Sequence, residues 1–218
     1  MHDARLKLAV LASGRGSNLQ AIIDAIENGK LNAALAVVIS NKPEAAALAR
    51  ACKHGAPAVF LDPKATPDRE AYDAAILECL RKHEVELVAL AGYMKIVTRV
   101  LIDAYPNRIM NIHPSLLPAF PGLKAQQQAL DWGVKVSGCT VHFVTEGVDA
   151  GPIIRQATVP VLEGDTAESL ETRILVEEHR IYTEAIRLFA DGHLTVKGRQ
   201  VSIISRPTTR GVVDEDGV

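Results

Sequence analysis

The sequence predicts an α/β fold: a single Rossmann-like domain with a mostly parallel central sheet and helices on both faces. Three observations lead there. Short apolar runs of four to seven residues alternate with helix-period segments along the first half of the chain. Apart from Lys7 and Ser40, those runs are apolar rather than apolar at every second residue, as expected of parallel strands covered on both faces. A glycine turn separates the first run from the first helical segment, the place where such sheets present free backbone N–H groups to an anion.

The elements follow in order. Residues 6–12 read as a buried strand, and residues 17–27 as a helix with Leu19, Ile22, Ile23 and Ile26 on its apolar face; Asn28-Gly29 ends it. Strands are expected at 35–40, 58–61 and 87–91, and helices at 44–54, stopped by Gly55, and 68–83. The second half is less regular. Residues 108–112 read as a strand ending at His113, after which Pro114, Pro118 and Pro121 make 115–122 a loop. Strands at 136–144 and 153–161 come next, then a turn at Glu163-Gly164-Asp165. A long helix over 166–190 has a start signal in Thr166, Glu168 and Ser169, and 194–204 suggests a small hairpin.

The chain has 218 residues, room for one such domain and short for two. We expect a domain over residues 1–206 and a frayed tail over 207–218. Aromatics are only 4% of residues, so the core must come from Ala, Val, Leu and Ile. A formal net charge of -2 argues against a nucleic-acid reader, which usually carries a basic face. Cys52, Cys79 and Cys139 are scattered and odd in number, which suits reduced thiols in the cytoplasm. Neither a signal peptide nor an apolar run of membrane-spanning length is apparent, so no membrane partner is expected.

Ser13-Gly14-Arg15-Gly16-Ser17-Asn18 forms the glycine turn. A dinucleotide fingerprint fails here, because Leu19 stands at the third glycine and the second strand ends in Ser40-Asn41 without an acid. The turn therefore suits a single phosphate. The alternative is a tight structural turn with Ser17 capping the helix.

Asn111-Ile112-His113-Pro114-Ser115 is the most informative stretch. In extended chain, Asn111 and His113 point to the same side at the end of a strand, where α/β active sites lie. An amide donor beside an imidazole suits stabilising an oxyanion and moving a proton. Read alone, the pair serves a hydrogen-bonded structural histidine as well. Asp149, in the turn-rich stretch Thr145-Glu146-Gly147-Val148-Asp149-Ala150-Gly151-Pro152, supplies a carboxylate to orient the imidazole and raise its pKa; the alternative is a solvated acidic turn. His142 reads as structural. No residues stand at metal-ligand spacing, and none form a serine or cysteine nucleophile motif.

These motifs, with Ala91-Gly92-Tyr93-Met94-Lys95 and Val141-His142-Phe143-Val144-Thr145, occur in an order that resembles the folate-dependent phosphoribosylglycinamide formyltransferase family over residues 6 to about 190. The resemblance implies 10-formyltetrahydrofolate as co-substrate, the amine of phosphoribosylglycinamide as acceptor, and no metal. Under it, Gly16, Ser17, Asn18 and Glu178 match the ribonucleotide-binding positions. Arg69, Met94, Lys95, Ile96, Val97 and Asn111 match folate-binding positions. His113 matches the catalytic proton donor, Asp149 the residue that raises its pKa, and Asn111 the oxyanion donor. Leu175 departs where relatives can carry Gln, and Lys95 replaces an Arg found in some relatives. The implied enzyme is a monomer or homodimer acting on small molecules in the cytoplasm. Rivals are another formyltetrahydrofolate enzyme, expected to carry an additional domain, and a non-catalytic folate- or nucleotide-binding module. Residues 115–122 and 145–149 are expected to move on ligand binding.

Overall fold

The computed structural model describes residues 5–204, so the expected boundary at 206 and the tail 207–218 lie outside the described residues. Seven strands form one sheet in the order β3-β2-β1-β4-β5-β6-β7. They are β1 Leu6–Leu11, β2 Ala33–Ser40, β3 Ala58–Phe60, β4 Leu87–Leu90, β5 Ile109–His113, β6 Val136–Phe143 and β7 Ile153–Pro160. Strands β1 to β5 pair in parallel, whereas β6 is antiparallel to both β5 and β7. Thus β6 alone runs against the rest, and the sheet is mostly parallel as expected.

Among the described residues six α-helices accompany the strands, α1 Ser17–Glu27, α2 Ala46–Lys53, α3 Arg69–Lys82, α4 Arg99–Ala104, α5 Ala125–Trp132 and α6 Ala167–Ala190, with one short 3-10 helix at Pro63–Ala65. β8 Leu194–Lys197 and β9 Gln200–Ile203 make the expected hairpin. The sequence did not reveal α4 or α5. Six residues are too few to establish a helical period, and α5 starts after Lys124 in a left-handed conformation with no capping side chain.

Alternate residues of β1 feed two cores, because successive side chains leave a strand on opposite faces. Leu8 and Val10 join Leu19, Ile22, Ala129 and Tyr182 under α1, α5 and α6. Ala9 and Leu11 join Tyr72, Ile76, Leu80 and Leu101 under α3 and α4. Each fully buried Leu or Ile contributes roughly 1.5–3 kcal/mol by leaving water. α6 is further fixed at the sheet's centre. The buried Tyr182 hydroxyl lies 3.0 Å from both the Leu90 and Met110 carbonyls and bridges neighbouring strands.

Register sets where chemistry can occur. Leu11 of β1 is level with Leu90 of β4, which is level with Asn111 of β5. β1 connects to β2 on one side and lies beside β4 on the other, so the chain changes direction across the sheet there. Crevices at such a switch point, beyond the carboxyl ends of strands, are the usual ligand sites of open α/β sheets.

Candidate active site

Two constructions meet at this edge. The first is made of backbone. The turn after β1 ends in Gly16, which caps α1 with φ +73°, and no side chain caps the helix. Ser17 is the first helical residue, so the alternative in which its side chain caps α1 does not hold. A Cβ at Gly16 would stand 3.0 Å from both Cα and Cβ of Ala47, and the left-handed φ would strain any L side chain as well. The N–H groups of Ser17, Asn18 and Leu19 begin a helix without a side-chain partner, as an anion site requires.

Asn18 extends this side toward α6. Its Nδ2 donates to Glu178 Oε2 at 2.8 Å, and its Oδ1 is buried with no partner among the described residues. Burial holds the Glu178 carboxyl above the usual range, and Asn18 only partly offsets it. Arg15 pairs with Glu171 at 2.7 Å, and Leu175 lies half-buried on the same helix.

Residues 92–98 follow β4. Arg69 Nη2 donates to the Ile96 carbonyl at 3.0 Å, and Lys95 Nζ lies 5.5 Å from the centroid of the Tyr72 ring. Val97 is buried, while Met94 and Ile96 are exposed. The buried Asp73 accepts the Thr98 N–H at 2.5 Å. Thus Arg69 and residues 94–97 lie together beside the glycine turn, with Val97 alone of them buried.

The second construction is made of side chains. Asn111 and His113 share a face of β5 as their spacing predicts, and Asp149 reaches both. Its Oδ2 lies 3.3 Å from His113 Nδ1 and accepts the Gly122 N–H at 2.8 Å. Its Oδ1 accepts from Asn111 Nδ2 at 3.4 Å and lies 3.6 Å from His142 Nε2. Asp149 adopts φ +49°, a left-handed conformation that Asp enters more readily than most side chains. Burial alone would raise its pKa. The His142 hydrogen bond, the Gly122 N–H and the neighbouring imidazoles together outweigh burial and hold it below the usual range.

His142 was read from sequence as structural, yet it belongs to this cluster. It pairs opposite Asn111 and is buried. Its Nδ1 lies 2.9 Å from the Phe143 carbonyl, and its Nε2 lies 3.2 Å from Asn111 Nδ2 and 3.6 Å from Asp149 Oδ1, so which nitrogen donates depends on the ring's tautomer. Only the pairing of β5 with β6 brings His142 in, and composition and spacing carried no sign of it.

Asp149 acts to raise the His113 pKa, but it does not set the net direction. Burial is the largest influence and holds the imidazole below its ordinary value; the Phe120 carbonyl and Asp149 pull the other way without prevailing. Nε2 lies 2.9 Å from the Phe120 carbonyl, so both ring nitrogens face acceptors. One proton cannot satisfy both. The resting site thus lies one proton short of full pairing, at a ring where burial resists the added charge.

The loop carrying Phe120 is fastened unevenly. Thr140 Oγ1 donates to the Ser115 carbonyl at 2.7 Å and accepts the Leu117 N–H at 3.0 Å, and Gln156 donates to the Leu117 carbonyl at 2.9 Å. Gly122 is held by Asp149 itself. Among the described residues no group of three or more His, Cys, Asp or Glu could hold a metal ion. No described helix is long and apolar enough to cross a membrane.

Residues 6–186 match the formyl transferase family. The chain belongs to that family. Among formyl transferase relatives, the phosphoribosylglycinamide formyltransferase of Bacillus subtilis is 47% identical over 181 residues, 83% of this chain and 93% of its own length. A crystal structure of glycinamide ribonucleotide transformylase 1 from Symbiobacterium toebii superposes with a TM-score of 0.92 at 58% identity, covering 94% of this chain and 96% of that one. The trifunctional purine biosynthetic protein adenosine-3 of Drosophila pseudoobscura pseudoobscura is 45% identical across 98% of this chain, but this chain spans only 16% of its length. This formyl transferase chain is therefore a formyl-transferring enzyme on a Rossmann-like α/β domain.

Proposed function

We propose that this enzyme moves the formyl group of 10-formyltetrahydrofolate to the amine of 5'-phosphoribosylglycinamide. The observation that carries the reading is a single half-buried carboxylate, Asp149, touching Asn111, His113 and His142 next to an uncapped glycine turn. The side-chain cluster suits acyl transfer, and the turn suits a phosphate. The relatives' names support the choice of acceptor, and family practice supports formyl-folate as donor.

Gly16, Ser17 and Asn18 then hold the ribonucleotide phosphate, with Glu178 toward the ribose. The Asn18–Glu178 hydrogen bond fixes that carboxyl in place. Leu175 offers no hydrogen bond, so the substrate is held on this face by one polar side chain fewer than a Gln would give. Arg69, Met94, Lys95, Ile96, Val97 and Asn111 receive the folate.

The amine nitrogen attacks the formyl carbon, forming a C–N bond and a tetrahedral intermediate with an oxyanion. The bond to the folate nitrogen then breaks. The amine must lose a proton and the leaving nitrogen must gain one. His113 suits both steps. Burial keeps its resting pKa low, so it is a neutral base at pH 7. The growing oxyanion then adds the second negative charge that, with Asp149, favours imidazolium. His113 takes the proton on the way in and returns it to the leaving group, while Asn111 donates to the oxyanion. Two contacts must be exchanged for this: the Phe120 carbonyl must release Nε2, and Asn111 must turn an N–H away from its present partners.

Mixing the protein with 10-formyltetrahydrofolate and phosphoribosylglycinamide and following folate absorbance tests the reading. Transfer to the amine is expected. Hydrolysis to formate without amine formylation would point to another formyltetrahydrofolate enzyme, and binding without either reaction to a non-catalytic module.

A further inference from the structure

One side chain joins the glycine turn to residues 92–98. Ser13 follows β1 and is buried. Its hydroxyl lies 2.6 Å from Asn41 Oδ1 and accepts the Met94 N–H at 2.8 Å. Its own N–H donates to the Gly92 carbonyl at 3.1 Å. A serine hydroxyl has one proton, and Asn41 takes it; the lone pairs thereby face Met94. Asn41, at the end of β2, sets the direction of the hydroxyl.

Residues 92–98 are also fastened by side chains of α3, through Arg69 to Ile96 and Asp73 to Thr98, and by the Thr98 carbonyl, which accepts from Leu101 and Ile102 of α4. Among the described hydrogen bonds, both that link the glycine turn to this segment pass through Ser13. Any shift of the turn on phosphate binding is therefore felt at Met94 through one buried residue.

We propose that Ser13 is a positioning residue that couples the two substrates: a ribonucleotide in the turn at 14–18 sets Met94 for folate, and folate sets the turn for the ribonucleotide. The proposal rests on the assignment of those two segments made above. Such coupling is reciprocal, because each ligand stabilises the same arrangement of Ser13.

Calorimetric titration tests it, with tetrahydrofolate as a probe that carries no formyl group. Tetrahydrofolate is titrated with and without saturating phosphoribosylglycinamide, and the reverse. In the unaltered protein each ligand should tighten the other by about fivefold or more, the lower range of measured couplings. Ser13→Ala should bring that factor close to one. Asn41→Ala should lower it too, and Asn41→Asp, which keeps an acceptor for the hydroxyl, should restore it. A merely structural serine would lower the melting temperature and leave the factor unchanged. An unchanged factor in folded Ser13→Ala, or a factor of one in the unaltered protein, overturns the proposal. If Ser13→Ala does not fold, an unchanged factor in Asn41→Ala overturns it. Formyl transfer with no coupling would sink this proposal and leave the function standing; absence of both binding and transfer would sink the function.

Discussion

The glycine turn and the Asp149 cluster lie side by side at the carboxyl edge of one sheet, yet they are made from opposite materials. The turn offers backbone N–H groups and depends on a missing side chain at Gly16. The cluster offers an amide, two imidazoles and a carboxylate, and depends on each of them being present. A backbone site fails when something is added, and a side-chain site fails when something is taken away. Binding and chemistry should therefore separate under mutation.

The sharpest way to break that contrast is at the cluster. His113→Ala and Asp149→Asn should each lower turnover by roughly 10²-fold or more with the fold intact, as read by folate absorbance and circular dichroism. Near-normal turnover in either would remove the cluster from the chemistry. Next is Gly16→Val, which adds strain of order 1–3 kcal/mol and a clash with Ala47. We expect the KM for the ribonucleotide to rise about tenfold or more, while the KM for formyl-folate changes far less. An equal rise in both would show that the turn does not serve one substrate.

How far these regions were legible in sequence follows the same contrast. The turn lies between a strand and a helix adjacent in the chain, so Gly14 to Asn18 could be read locally, and α1 falls at the expected residues. Asn111 and His113 could be read because two-residue spacing in a strand is also local. His142 could not, because its partner across the ladder, Asn111, is 31 residues away and only register brings the two together. The net direction of the His113 shift was not legible for a related reason. A nearby carboxylate can be guessed from sequence, whereas the burial that outweighs it is a property of the packed whole. Ser13 went unnoticed as a link because its partners at 41 and 94 come from two other strand ends.

A smaller effect is expected at Tyr182, which serves both regions by fixing α6 to β4 and β5. Tyr182→Phe should cost about 0.5–1.5 kcal/mol in urea unfolding, since it removes the buried hydroxyl proton shared between the Leu90 and Met110 carbonyls. A loss below a few tenths would mean the carbonyls find other partners.

The smallest effect is one of pH. As pH falls through the ordinary histidine range, unfolded His113 gains a proton that the folded ring resists, so the unfolded state binds more protons and stability falls. Asp149 adds a loss in the same direction at lower pH: its lowered pKa stabilises the fold above the usual carboxylate range, and that stability goes as pH drops through the folded value. The stability advantage of the unaltered protein over His113→Asn should therefore shrink on going from neutral to mildly acidic pH in urea titrations. An advantage that grows toward acid would mean the folded ring is the better proton acceptor.

The hydrogen bond from Asn18 to Glu178 has a consequence in time. Its partners are 160 residues apart. At a synthesis rate of about 5–20 residues per second, the turn leaves the ribosome on the order of ten seconds before the helix that completes it. Through that interval the nascent chain carries the turn without the Glu178 carboxyl beside it. The Asn18 side of the candidate site is therefore completed only once α6 has been made.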